Sequence, residues 1–154
     1  NNPPFDKQMF ALNNYMNLSP KSPENKFAKN INLDRYSRGM GAIGLPGDNS
    51  SMSRFVRACF TKLNSIKFET EEQNVAQFFH ILESVFQQKG CVKIGEQFEF
   101  TVYSCCCNVS KGIFYYKTYF NTSICAVNMF NENLNSKNLI AFELQETQSI
   151  INQN

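Results

Sequence analysis

The sequence predicts an α+β fold, read as one domain over residues 1–154, and three observations carry that expectation. Apolar residues recur at helical spacing in three stretches, 5–16, 52–66 and 75–86. Beyond Cys91 the apolar period drops to two, the signature of strands with one buried face. The helical patterns come first and an antiparallel meander follows, an order that separates α+β chains from alternating α/β ones. At 154 residues the chain is long enough for a core, and no internal repeat is visible.

The elements follow in order. After Pro3-Pro4, residues Phe5, Met9, Leu12 and Met16 lie at helical spacing, and proline suits a first helical turn. Residues 17–49 are rich in Asn, Ser, Pro, Lys and Gly. A segment of that length is expected to be functional or to be held by a partner. The next helix is clear: Met52, Phe55, Val56, Cys59, Phe60, Leu63 and Ile66 make one continuous apolar face, with Asp48, Asn49 or Ser50 as its cap. A second helix begins at Thr70, where Thr70 and Gln73 have capping-box spacing. Its face is Val75, Phe78, Phe79, Leu82, Val85 and Phe86, and Gly90 is expected to close it.

Phe98, Phe100 and Val102 alternate with Glu99, Thr101 and Tyr103, which predicts a single strand with Cys105–Cys107 at its end. Strands over Ile113–Tyr119 and Ile124–Met129 follow, set off by the turn residues 108–112 and 121–123. Residues 131–138 read as a polar loop or short helix, and Ile140–Leu144 as a last strand.

Composition excludes several classes of function. Fifteen Lys and Arg face thirteen Asp and Glu, a formal charge of +2, so nothing points to a nucleic-acid partner. The apolar runs are too short to cross a bilayer, and no membrane partner is expected. Six cysteines invite a disulfide framework, yet Cys105, Cys106 and Cys107 are adjacent and Cys59 falls on a helical apolar face. No C-x-x-C pair exists and His80 is the single histidine, which leaves zinc without a ligand set. The thiols are expected to be reduced, buried apolar groups of a cytoplasmic protein, and no cofactor is expected. The chain opens on NNPPF, without an initiator Met, and is expected to be a piece of a longer protein.

The stretch RYSRGMGAIGLPGDNSSMSR, residues 35–54, raises the question of a phosphate cradle. Gly39-Met40-Gly41-Ala42-Ile43-Gly44 has the letters of a dinucleotide fingerprint. No strand precedes it, however, and Leu45-Pro46-Gly47 intervenes before any helix. Backbone freedom in a long excursion is the better reading of these glycines. Arg54 stands out for a different reason. It lies in the first turns of a helix, where positive charge opposes the helix dipole, and locally unfavourable residues gather at functional sites. His80, beside the apolar face of its helix, reads as structural.

Several blocks are distinctive: NNPPF, NNYMNLSP, LDRYSRGMGAIGLPGDNSSMSRFVRACFTKLNS, FFHILESV and YSCCCNVSKGIFYYKTY. Through them the chain resembles the C-terminal half of the choloylglycine hydrolase family, which holds conjugated bile salt hydrolases and penicillin V acylases. The resemblance implies part of an N-terminal-nucleophile αββα sandwich with antiparallel sheets. It implies hydrolysis of a linear amide by a Cys at a mature N-terminus, whose α-amine is the base; that Cys is not in this chain. The substrate implied is a small-molecule amide, glycine- or taurine-conjugated bile salts first and penicillin V as the alternative. A non-catalytic interaction module is the reading from another class.

Two catalytic residues carry over by resemblance. Asn1, first of the NNP motif, matches an Asn near the oxyanion site, where an amide N–H can donate to the tetrahedral oxyanion. Arg54, in SMSRF, matches an Arg beside the nucleophile, where a guanidinium lowers the thiol pKa. Arg57, one turn on, is expected to be more tolerant of replacement than Arg54. The glycine-rich stretch resembles the end of an assembly excursion that packs against neighbouring subunits, which implies a homotetramer at full length. Taken alone, the 154 residues are expected to be inactive.

Overall fold

A computed structural model describes residues 2–154; the expectation placed on Asn1 lies outside the described residues. The described chain divides into two compact units, the first ending at Ile66 and the second running from Lys67 to Asn154.

In the first unit, helix α1 (Phe5–Ala11) starts after Pro4 and runs into a 3-10 turn over Leu12–Tyr15. The excursion follows, with one 3-10 turn at Met40–Ala42, and leads into helix α2 (Ser51–Asn64). Of the three candidate caps, Ser50 is the one used: its backbone is extended and its hydroxyl accepts from the Ser53 N–H at 3.4 Å. Val56, 1% exposed, is the buried apolar centre of α2, and the Phe5 and Phe55 rings meet edge to face at 5.9 Å to tie α1 to α2. The apolar face stops short of its sequence pattern, since α2 ends at Asn64 and Leu63 and Ile66 are both exposed.

The second unit opens with helix α3 (Glu71–Glu83), capped by Thr70, whose hydroxyl accepts from the Gln73 N–H. Asn74 braces the entry by bonding both the N–H and the carbonyl of Phe68. Gly90 does not close this helix. The Ser84 hydroxyl bonds the Ile81 carbonyl, the chain loosens into turns from Ser84 to Phe86, and Gly90 serves a later turn at φ +105.

The meander is antiparallel throughout, in two sheets. Strands β1 (Val92–Ile94) and β2 (Gln97–Glu99) form a hairpin whose two-residue turn sets Gly95 at φ +59. Strands β3 (Tyr103–Asn108), β4 (Ile113–Thr118) and β5 (Cys125–Asn128) make a three-stranded sheet in that order. The single strand expected over 98–103 is therefore corrected. Thr101 donates its N–H to the Gln87 carbonyl, and its hydroxyl accepts from the Gln87 N–H. That commitment breaks the ladder between Glu99 and Tyr103. Cys105–Cys107 lie inside β3, opposite Tyr116, Tyr115 and Phe114.

One face of this sheet, carrying Cys106, Asn108, Tyr115 and Lys117, meets α3. Lys117 Nζ reaches Glu83 at 2.7 Å and lies over the Phe79 ring, itself 2% exposed. The other face is closed around Tyr116, 5% exposed, whose hydroxyl accepts from the Gln145 N–H at 3.2 Å. The expected last strand over Ile140–Leu144 does not form; those residues run without ladder partners and Ile140, Phe142 and Leu144 stay exposed. Residues 132–138 are loop, after a 3-10 turn at Met129–Asn131.

Candidate active site

The excursion is gathered at its neck by a backbone contact. Ser19 donates its N–H to the Gly41 carbonyl at 2.9 Å. A Cβ at Gly41 would lie 2.0 Å from the Lys21 carbonyl oxygen and 2.3 Å from that of Ser19, so only glycine fits there. Gly39 starts the 3-10 turn from the left-handed region at φ +78. The glycines thus shape a turn and a close crossing of two chain segments.

From that neck the chain passes through Leu45–Ser50 into α2, and the link is held by four side chains. The Asp48 carboxylate accepts from the Ser50 N–H at 2.9 Å and from the Ser53 hydroxyl at 2.5 Å. Hydrogen bonds from Ser50, then Ser53, hold the Asp48 carboxyl well below the usual carboxylate range. Arg57 Nη1 donates to the carbonyls of Pro46 at 2.9 Å and Asp48 at 2.6 Å. Arg54 Nη1 donates to the Asn49 carbonyl at 2.7 Å. Arg54 is half-buried in the first turns of α2, and the bond to Asn49 offsets the unfavourable position of its charge near the helix N-terminus.

Arg54 is where the sequence pattern places it. Arg57, expected to be the more tolerant of the two, anchors the loop that precedes α2 through its bonds to the Pro46 and Asp48 carbonyls. The signal was present in the i, i+3 spacing of Arg54 and Arg57, which sets both guanidinium groups toward the loop that precedes their helix.

Two of the internal thiols, Cys59 and Cys106, are held in their neutral form. Burial pushes the Cys59 thiol up, and burial and then its two neighbouring thiols push Cys106 up, so the thiolate fraction of each is reduced. His80 is exposed and pairs through Nδ1 with Glu83 at 3.0 Å, at the end of α3.

The model of the linear amide C–N hydrolases, choloylglycine hydrolase family, matches residues 1–142 of this sequence. The chain belongs to the choloylglycine hydrolase family. A bile salt hydrolase/transferase of Lactiplantibacillus plantarum is 54% identical over 146 residues, which cover 94% of this chain and 45% of that protein. Among solved structures, a mutant of the conjugated bile acid hydrolase from Clostridium perfringens superposes with a TM-score of 0.84 at 34% identity, over 100% of this chain and 47% of that one. The penicillin V acylase of Agrobacterium tumefaciens gives a TM-score of 0.57 at 22% identity over 84% of this chain and 35% of its own, a likeness of fold alone. The chain spans about half the length of the relatives it matches. Its α+β architecture with antiparallel sheets is part of the fold of the bile acid hydrolases. Among the described residues no helix is long and apolar enough to cross a membrane.

Proposed function

We propose that this chain is the C-terminal part of a choloylglycine hydrolase that cleaves the amide of glycine- or taurine-conjugated bile salts. The observation that carries this reading is the 54% identity to a bile salt hydrolase/transferase over nearly the whole chain. The attacking thiolate belongs to a Cys at the mature N-terminus of the full-length protein, with its own α-amine as base. Arg54 lies beside that thiolate. Its guanidinium stabilises the ionised thiol. The bond from Arg54 to the Asn49 carbonyl supports this role by giving the guanidinium a fixed seat. Asn1 donates its amide N–H to the oxyanion of the tetrahedral intermediate; loss of one such donor typically costs about 10²–10³-fold in kcat.

The full-length protein assembles as a homotetramer through the excursion. Support comes from Phe27 and Tyr36, which are 80% and 83% exposed on that segment. It works in the cytoplasm, in keeping with six cysteines that are all unbridged thiols.

The decisive experiment assays the full-length protein and its Arg54→Ala variant on taurocholate, glycocholate and penicillin V. Thiol alkylation rates are followed against pH in both. Release of taurine or glycine, with a raised thiol pKa and depressed turnover in Arg54→Ala, is the expected result. Turnover of penicillin V alone would overturn the substrate class, and superimposable alkylation profiles would overturn the role of Arg54.

A further inference from the structure

We propose that Arg57 is a positioning residue for this site: by holding the Pro46 and Asp48 carbonyls it fixes the Asn49 peptide on which Arg54 is seated. The inference rests on the reading of Arg54 just given and extends it to the guanidinium one helical turn on.

Three carbonyls of one short link point at two guanidinium groups a helical turn apart. Arg57 takes those of Pro46 and Asp48, and Arg54 takes that of Asn49. The carbonyls of Asp48 and Asn49 belong to adjacent peptide units joined at the Asn49 Cα, so a displacement of the first unit is passed to the second. Gly47, between the two carbonyls held by Arg57, has no side chain to restrain the link. Asp48 is held a second time through its carboxylate, by the Ser50 N–H and the Ser53 hydroxyl of the helix cap. The result is a link clamped to the first two turns of α2 from both sides. The Asn49 carbonyl, next along the link, seats Arg54.

A guanidinium suits this task better than an ammonium. It is planar, its donors have fixed directions, and it stays charged at every working pH. With Arg57 removed, the 46–49 link gains rotational freedom and the Asn49 carbonyl no longer holds one place. Arg54 then samples positions away from the thiolate. Misplacement of a catalytic group by a remote change typically lowers turnover by on the order of tenfold to a hundredfold.

The test uses the full-length protein with Arg54→Ala, Arg57→Ala, Arg57→Lys and the double Ala variant. The readouts are the pH dependence of nucleophile alkylation by iodoacetamide, and kcat and KM for taurocholate. Arg57→Ala is expected to raise the thiol titration in the direction that Arg54→Ala does and to lower kcat with little change in KM. Adding it to Arg54→Ala should move the titration no further, because the group it positions is gone. Arg57→Lys should fall between wild type and Arg57→Ala. A wild-type titration in Arg57→Ala, alongside a shifted one in Arg54→Ala, overturns the proposal and leaves the role of Arg54 standing. An unshifted titration in Arg54→Ala overturns both. Should Arg57→Ala fail to fold, Arg57→Lys decides: a shifted titration supports the positioning role and a wild-type one overturns it.

Discussion

The Glu71 carboxylate accepts a hydrogen bond from the Tyr115 hydroxyl at 2.9 Å, joining the first residue of α3 to the middle of β4 across 44 positions of sequence. Asn108 Nδ2 donates to the same oxygen at 2.5 Å, and Lys111 Nζ bonds the other. Glu71 also sits in the first turn of its helix, where negative charge is favoured. One carboxylate thereby fixes a helix start to both strands of a hairpin.

Its acid sensitivity follows. Bonds from Lys111 first, then Tyr115 and Asn108, hold the Glu71 carboxyl below its ordinary value of 4.5. A depressed folded-state pKa contributes stability above the unfolded pKa, and that contribution is lost as pH falls through the folded one. In the full-length protein, Tm is expected to fall further for wild type than for Glu71→Gln between about pH 6 and about pH 3. Differential scanning calorimetry at the two pH values checks it, and parallel losses in both proteins would refute it.

Gly41→Ala tests the neck of the excursion. The new methyl would press on the backbone oxygens of Lys21 and Ser19, which cannot swing away as a side chain does. A cost of about 1–3 kcal/mol is expected from such overpacking, with faster proteolytic cutting within residues 20–40. Gly47→Ala is the control, since a Cβ there meets nothing within 4 Å. Equal digestion of the two variants would show that the neck does not hold the excursion.

The assembly proposed for the excursion makes its own prediction. Replacing Phe27 and Tyr36 together by Ser removes two of its most exposed aromatic rings. The mass of the full-length protein by light scattering should drop below that of a tetramer. A tetramer that survives the double replacement argues against the excursion as the contact.

The 154 residues by themselves are expected to hydrolyse nothing and to aggregate. Phe114, Phe130, Phe142 and Leu144 are among the apolar side chains left open, and among the described residues β3 and β5 are unpaired on their outer edges. Purified monomer that releases taurine from taurocholate with measurable turnover would overturn the assignment of the nucleophile to another segment.

The sequence by itself determined the elements whose causes lie within one or two helical turns. Ser50 and Thr70 cap α2 and α3 by bonding N–H groups three residues on, and the apolar periods of Val56 and Phe79 mark the faces that become buried. Strands β4 and β5 were legible because alternation and turn residues are local signals. Arg54 was legible as a charge set against its own helix dipole.

Everything that depended on a distant partner was decided by the tertiary structure. The hairpin of β1 and β2 has three-residue strands too short to show a period, and it exists through pairing. The bonds between Thr101 and Gln87 cut the strand that alternation suggested, at a separation of 14 residues. Ile140–Leu144 alternates like a strand yet pairs with nothing among the described residues, because a period of two specifies a face and leaves the ladder's partner open. The seat of Arg54 belongs to the same class. Arg57 reaches back 9 and 11 positions to the Asp48 and Pro46 carbonyls, and a backbone oxygen carries no residue type by which a sequence could announce it.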